Sequence, residues 1–101
     1  MGQLTEWQER NWKNKLAKGF NTTNVEIEFN YTYAELAEAY ESYRKDKGDL
    51  DEELADVVLF ILSLAKMNGL DLETAVINKM AKNEARQYIE KNGHHVQKEK
   101  S

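Results

Sequence analysis

The chain has 101 residues, 41% of them hydrophobic and 32% charged, with a net charge of −4, no proline and no cysteine. That length sustains one domain with one modest core. The missing cysteines exclude a disulfide framework and thiolate metal sites, five glycines and no proline disfavour a sandwich or barrel, and the acidic balance disfavours a nucleic-acid polymer as partner. The opening Met1 to Glu6 lacks the apolar stretch of a signal peptide, and the longest apolar run is Val57 to Leu62. A membrane span needs roughly 20 such residues. A cytoplasmic protein with no membrane partner is expected.

Thr5 followed by Gln8 reads as a capping box opening a first helix, which runs to Lys18 and stops at Gly19. Phe20 to Asn24 is turn chemistry. Val25 to Phe29 alternates like a strand, but with no partner strand it reads as an extended connector or a helix start. Thr32 with Glu35 repeats the capping-box pattern, and Leu36, Ala39, Tyr40 and Tyr43 follow at helical spacing. After a charged break over Arg44 to Gly48, Asp49 and Glu52 open a third helix with acids where the macrodipole favours them. That helix is apolar around most of its circumference, from Leu54 through Leu64. A helix of this kind is buried on several sides, and one small domain can hardly cover it alone, so an oligomer is expected. Asn68-Gly69 ends it, and Asp71 caps a fourth helix expected to reach about Asn92-Gly93. The reading is an all-α, four-helix domain over residues 1–93, with a polar tail over 94–101 expected to be disordered.

Carboxylates at i, i+3 share one face of a helix and can share a cation. Six such pairs occur, so the spacing alone selects little. Two pairs have a special context. Asp56 opens onto Val57 to Leu62, and Glu35 and Glu38 sit among Leu36, Ala37, Ala39 and Tyr40. Ionised acids at an apolar boundary need compensation. If the second and third helices pack antiparallel, Glu35, Glu38, Glu53 and Asp56 converge. An oxygen-only set of that kind favours Mg²⁺ or Mn²⁺. The plainer alternatives are that Glu35 pairs with Thr32 in a capping box and that Glu53 serves the helix dipole. Lys79, Asn83 and Arg86 fall at i, i+4 and i+7 and can meet phosphate oxygens, or can be a solvated face. Lys13, Lys15 and Lys18 surround Trp7 and Trp12, an arrangement able to stack a base and hold its phosphates, although tryptophan at helical spacing is more often core. Base-contacting candidates are Trp7, Trp12, Phe20 and Tyr31.

Together these stretches resemble the MazG-like, all-α nucleotide pyrophosphohydrolases. Ala34-Glu35-Leu36-Ala37-Glu38 is similar to that family's E-x-x-E motif, and Glu53-Leu54-Ala55-Asp56 to its E-x-x-D motif. Asn68 to Glu73 resembles the usual turn into the last helix, Lys79 to Arg86 the K-M-x-x-N-x-x-R signature, and Lys15 to Asn21 the N-terminus of a small-protein branch. The resemblance implies a four-helix MazG-like bundle completed by a partner subunit, as a homodimer or homotetramer. It implies Mg²⁺, with Mn²⁺ as substitute, on Glu35, Glu38, Glu53 and Asp56. It also implies a nucleoside triphosphate substrate, met by Lys79, Asn83 and Arg86; the basic and aromatic cluster of the first helix adds Lys15, Lys18 and Trp12 as substrate-binding candidates. The implied reaction converts (d)NTP to (d)NMP and pyrophosphate, including a house-cleaning role on non-canonical nucleotides. Many members double the first Glu, and Ala34 holds that place here, with Glu41 and Glu52 as nearby acids. A second register would put Thr32 at a ligand position and degrade the site. The rival reading is a non-catalytic helical interaction module.

Overall fold

The computed structural model describes residues 2–86 in full and the backbone of 88–91 and 94–97. Four helices run in order: α1 (Gln3–Lys18), α2 (Val25–Arg44), α3 (Leu50–Met67) and α4 (Leu72–Ala85). Residues 2–86 are thus all-α. Beyond them, β1 (Tyr88–Lys91) and β2 (His94–Gln97) pair antiparallel, with Lys91 opposite His94. Among the described residues, no helix is long and apolar enough to cross a membrane.

Most helix ends obey their local chemistry. Gly19 takes the left-handed conformation, φ 69°, and with Phe20 returns backbone N–H groups to Leu16 and Lys15, closing α1 in a Schellman pattern. The Asp71 carboxylate accepts from the Thr74 N–H at 3.1 Å and caps α4.

Three expectations are corrected. First, α1 begins at Gln3, with Gly2 as N-cap and no side chain of its own at that end. The free amides of Leu4 and Thr5 donate instead to Glu73 of α4, at 2.8 and 3.1 Å, and Gln8 reaches the Leu70 carbonyl. Second, Val25 to Phe29 is the first turn of α2, so the helix-start alternative holds and the extended connector falls. Asn24 caps it by accepting from the Ile27 N–H, and Thr32, now in mid-helix, donates to the Glu28 carbonyl. Third, α4 ends at Ala85 rather than near Asn92. Arg86 has extended backbone, and the chain continues into the β1–β2 ladder. Tyr88, Ile89 and Val96 are strand formers, and their pairing ends the helical pattern before Asn92. The expected disorder of the tail concerns residues that, from 98 onward, lie outside the described ones.

Contacts fix the helix registers. Ser42 donates to Asp49, Glu35 and Glu38 approach Glu53, and the Tyr31 ring meets the Phe60 ring at 6.2 Å. As α2 ascends α3 descends, so the two form an antiparallel hairpin. The α1–α3 pair is antiparallel as well. Glu9 pairs with Lys66, Asn11 donates to Ser63 and the Leu59 carbonyl, and Lys15 lies over Phe60. The core is thin: Ala39, Leu62, Leu64 and Ala65 are its buried apolar residues. α3 is covered all round only over Leu62 to Ala65. One face of α2, carrying Phe29, Tyr33, Leu36, Tyr40 and Tyr43, is exposed, and so are Leu54, Val58 and Ile61 of α3.

Candidate metal centre

The α2–α3 hairpin brings two of the sequence's acidic pairs to one level. Glu35 and Glu38 stand one turn apart on α2, and Glu53 stands opposite on α3. One carboxylate oxygen from each lies within 4.8 Å of the others. Asp56 follows Glu53 on the same side of α3 and bears electrostatically on both Glu35 and Glu53.

Crowding of like charges marks this cluster. The Glu35 carboxyl is pushed up to about 7, first by burial, then by a hydrogen bond and charge repulsion from Glu38, then by Asp56 and Glu53. Glu53 is also raised, by burial first and then by Asp49, Glu38 and Asp56. Among the described residues, no ion pair reaches Glu35, Glu38, Glu53 or Asp56. A set of close, repelling carboxylate oxygens in no ion pair, with Lys47 only the last and opposing influence on Glu53, suits a hard divalent cation. Thr32, the ligand position of the second register, has its hydroxyl committed to the Glu28 carbonyl at 2.8 Å. Of the two acids near the missing one, Glu41 is held by Arg44 at 3.0 Å and by Lys45 at 3.3 Å, which keep its carboxyl below the usual range. Glu52 is exposed in the first turn of α3.

The other expected site residues are spread over the molecule. Lys15 is buried, and its Nζ pairs with Glu28 at 2.6 Å. Lys18 is exposed in the last turn of α1. Continuing the α1–α3 register by three residues from the Lys15–Phe60 contact places it near the level of Asp56. Trp12 is half-buried on α1. Lys79 and Asn83 are exposed on α4, and Arg86, at its end, donates to Asn83 at 3.2 Å. α4 packs on α1, and among the described residues no hydrogen bond or ion pair links these three side chains to the carboxylates.

Sequence reasoning missed Glu28 and Asn21. Glu28 is fully buried, and its second oxygen accepts from Asn21 Nδ2 at 3.1 Å. The available signal was the series Glu28, Thr32, Glu35, Ala39, Ser42, a small and polar stripe at helical spacing.

This fold and this acidic hairpin define a class of small helical proteins with carboxylates grouped across a pair of antiparallel helices. Residues 29–88 match the MazG nucleotide pyrophosphohydrolase domain, and the chain belongs to that family. It is also similar to a dATP/dGTP diphosphohydrolase of Salmonella phage PMBT28, 40% identical over 58 residues. That match takes in 50% of this chain and 20% of the relative, so the chain spans about a fifth of the relative's length. No solved structure matches it.

Proposed function

We propose that the chain hydrolyses nucleoside triphosphates to monophosphates and pyrophosphate with a divalent cation held by Glu35, Glu38, Glu53 and Asp56. The observation that carries this reading is the grouping of three carboxylates within 4.8 Å on a MazG-family hairpin. When bound, Mg²⁺, or Mn²⁺ in its place, neutralises phosphate oxygens and lowers the pKa of a coordinated water. The chain's own part is positioning and charge. The four acids would hold the cation, and with it would set the place of the substrate's polyphosphate end. Lys79, Asn83 and Arg86 offer donors at i, i+4 and i+7 for charge building on the leaving pyrophosphate. Lys18 offers a further cation near the level of Asp56.

The working unit in this reading is a homodimer, or a tetramer of two dimers. Phe29, Tyr33, Leu36, Tyr40 and Tyr43 form a stripe on α2, and Leu54, Val58 and Ile61 a stripe on α3; all eight are exposed in one chain. Two such hairpins face to face make a four-helix bundle with an apolar seam. The phage relative's name directs the first substrates to dATP and dGTP. A house-cleaning role on non-canonical nucleotides and a cytoplasmic location complete the proposal.

A second reading, the non-catalytic helical module, is favoured by Ala34 in place of an acid and by Glu41 being occupied. Pyrophosphate release separates the two. Canonical and modified NTPs and dNTPs are assayed with Mg²⁺, Mn²⁺ or EDTA. Metal-dependent release from a few nucleotides is expected; silence across the panel, from a folded protein that no divalent ion stabilises, selects the module.

A further inference from the structure

The face that α2 and α3 share changes character along its length. On α2, Tyr31, Glu35 and Glu38 fall at i, i+4 and i+7, so they share one face. On α3, Glu53, Asp56 and Phe60 fall at i, i+3 and i+7 and do the same. Each acidic pair therefore runs, one turn on, into an aromatic ring. The two rings meet across the hairpin, centroids 6.2 Å apart and planes at 70°. Beyond them Lys15 Nζ lies 5.7 Å from the Phe60 centroid, so that ring is backed by the α1 cation. Phe60 is half-buried, whereas Tyr31 is 49% exposed.

This polarity matches one ligand class. A nucleotide is polyanionic at one end and flat and aromatic at the other. The four-residue step from acid to ring, about 6 Å of rise, is comparable with the span a pentose places between its 5′-phosphate and its base. We propose that the Tyr31 ring is the platform on which the substrate's nucleobase stacks, with the Phe60 ring braced against it across the hairpin. The inference rests on the nucleotide reading above and deepens it by naming the base-side residue. The other exposed aromatics of α2, Phe29, Tyr33, Tyr40 and Tyr43, lie on a different face of that helix and do not continue the acidic one.

The test compares wild type with Tyr31→Ala and Tyr31→Phe in the full chain. Three quantities are measured: kcat and KM for pyrophosphate release, binding of the four 2′-deoxynucleoside 5′-monophosphates by NMR, and Mn²⁺ binding by water proton relaxation. Ribose 5-phosphate, which has no base, is the control ligand. Tyr31→Ala is expected to raise KM and weaken the best-bound monophosphate by about tenfold or more, the loss of one base–aromatic stack. kcat, Mn²⁺ affinity and ribose 5-phosphate binding stay near wild type, and Tyr31→Phe keeps full affinity. The proposal is overturned if Tyr31→Ala stays within twofold of wild type in KM and monophosphate binding. It is also overturned if Tyr31→Phe loses as much as Tyr31→Ala, which would assign the effect to the hydroxyl. A wild type that binds Mn²⁺ and a monophosphate but releases no pyrophosphate overturns the hydrolase reading, and the stack is then decided on monophosphate binding alone. A wild type that binds neither overturns both.

Discussion

Two acid sites sit two turns apart on the same helix and are treated in opposite ways. Glu28 is fully buried and completely answered, by the Lys15 ammonium at 2.6 Å and the Asn21 amide at 3.1 Å. Glu35 is half-buried and has only more acid around it, so burial first and then Glu38, Asp56 and Glu53 push its carboxyl up to about 7. The same residue type on the same face of α2 thus serves two purposes. Where the chain supplies its own cation, the acid ties α1 to the hairpin. Where it withholds one, the acids are left repelling one another, the condition that the proposed cation would relieve.

The strongest way to break this contrast is to remove the internal cation. Lys15→Met leaves a buried carboxylate unpaired, which costs about 3–5 kcal/mol. The urea midpoint should fall sharply at unchanged slope. The double variant Lys15→Met with Glu28→Met should recover much of that loss, since a buried pair replaced by apolar groups is often tolerated. A single variant as stable as wild type would mean that the pair does not anchor α1.

At the other site the largest effect is on activity. Asp56→Asn should lower kcat/KM by at least about 100-fold, the upper range for groups that merely support a metal ligand. Its helix content should not change. Retained activity removes Asp56 from the centre.

Metal itself sharpens the comparison further. Mg²⁺ or Mn²⁺ at 100 times its Kd should stabilise the fold by about 2.7 kcal/mol. For a chain of this size that is a rise of roughly 10–20 °C in Tm. EDTA should abolish the rise, and Asp56→Asn should blunt it. An unchanged Tm would make the acidic cluster ordinary surface charge.

The last expected effect, reduced by the solvent that screens a half-exposed group, is on pH dependence. Glu35 is raised from 4.5 to about 7. Between those values the folded metal-free protein holds a proton that the unfolded chain has released. Stability from this group is therefore full below pH 4.5 and is lost as pH rises through 7. Glu35→Gln should flatten that slope, as should saturating Mg²⁺. Urea midpoints at pH 5 and pH 8 check the sign.

Much of the fold was legible because helix ends carry short-range signals. Gly19, Asn68-Gly69 and Asp71 mark ends through backbone conformation and capping, which depend on neighbours in sequence. The start of α2 was harder. Val25 to Phe29 alternates apolar with acidic residues, yet in the helix Ile27 and Phe29 are exposed and Glu28 is buried against a lysine, which alternation alone does not reveal. The start of α1 was out of reach, since its cap comes from Glu73, 68 and 69 residues away. The pairs Glu35/Glu38 and Glu53/Asp56 were singled out by their apolar surroundings, and the antiparallel hairpin does bring Glu35, Glu38 and Glu53 together. Lys15 read as one of a basic group with Lys13 and Lys18. Only the tertiary contact with Glu28 separates it from them.

The Glu73 carboxylate gives this small protein a built-in reporter. It holds the amides of Leu4 and Thr5, so the first turn of α1 is closed by a helix at the far end of the described chain. Those two amide protons exchange with solvent only when α4 lifts away or α1 unwinds. Their exchange rates therefore read out the docking of α4, the helix that carries Lys79 and Asn83, from a position remote from both. Comparing those rates with and without nucleotide would register any tightening of α4 during binding before a single turnover has been measured.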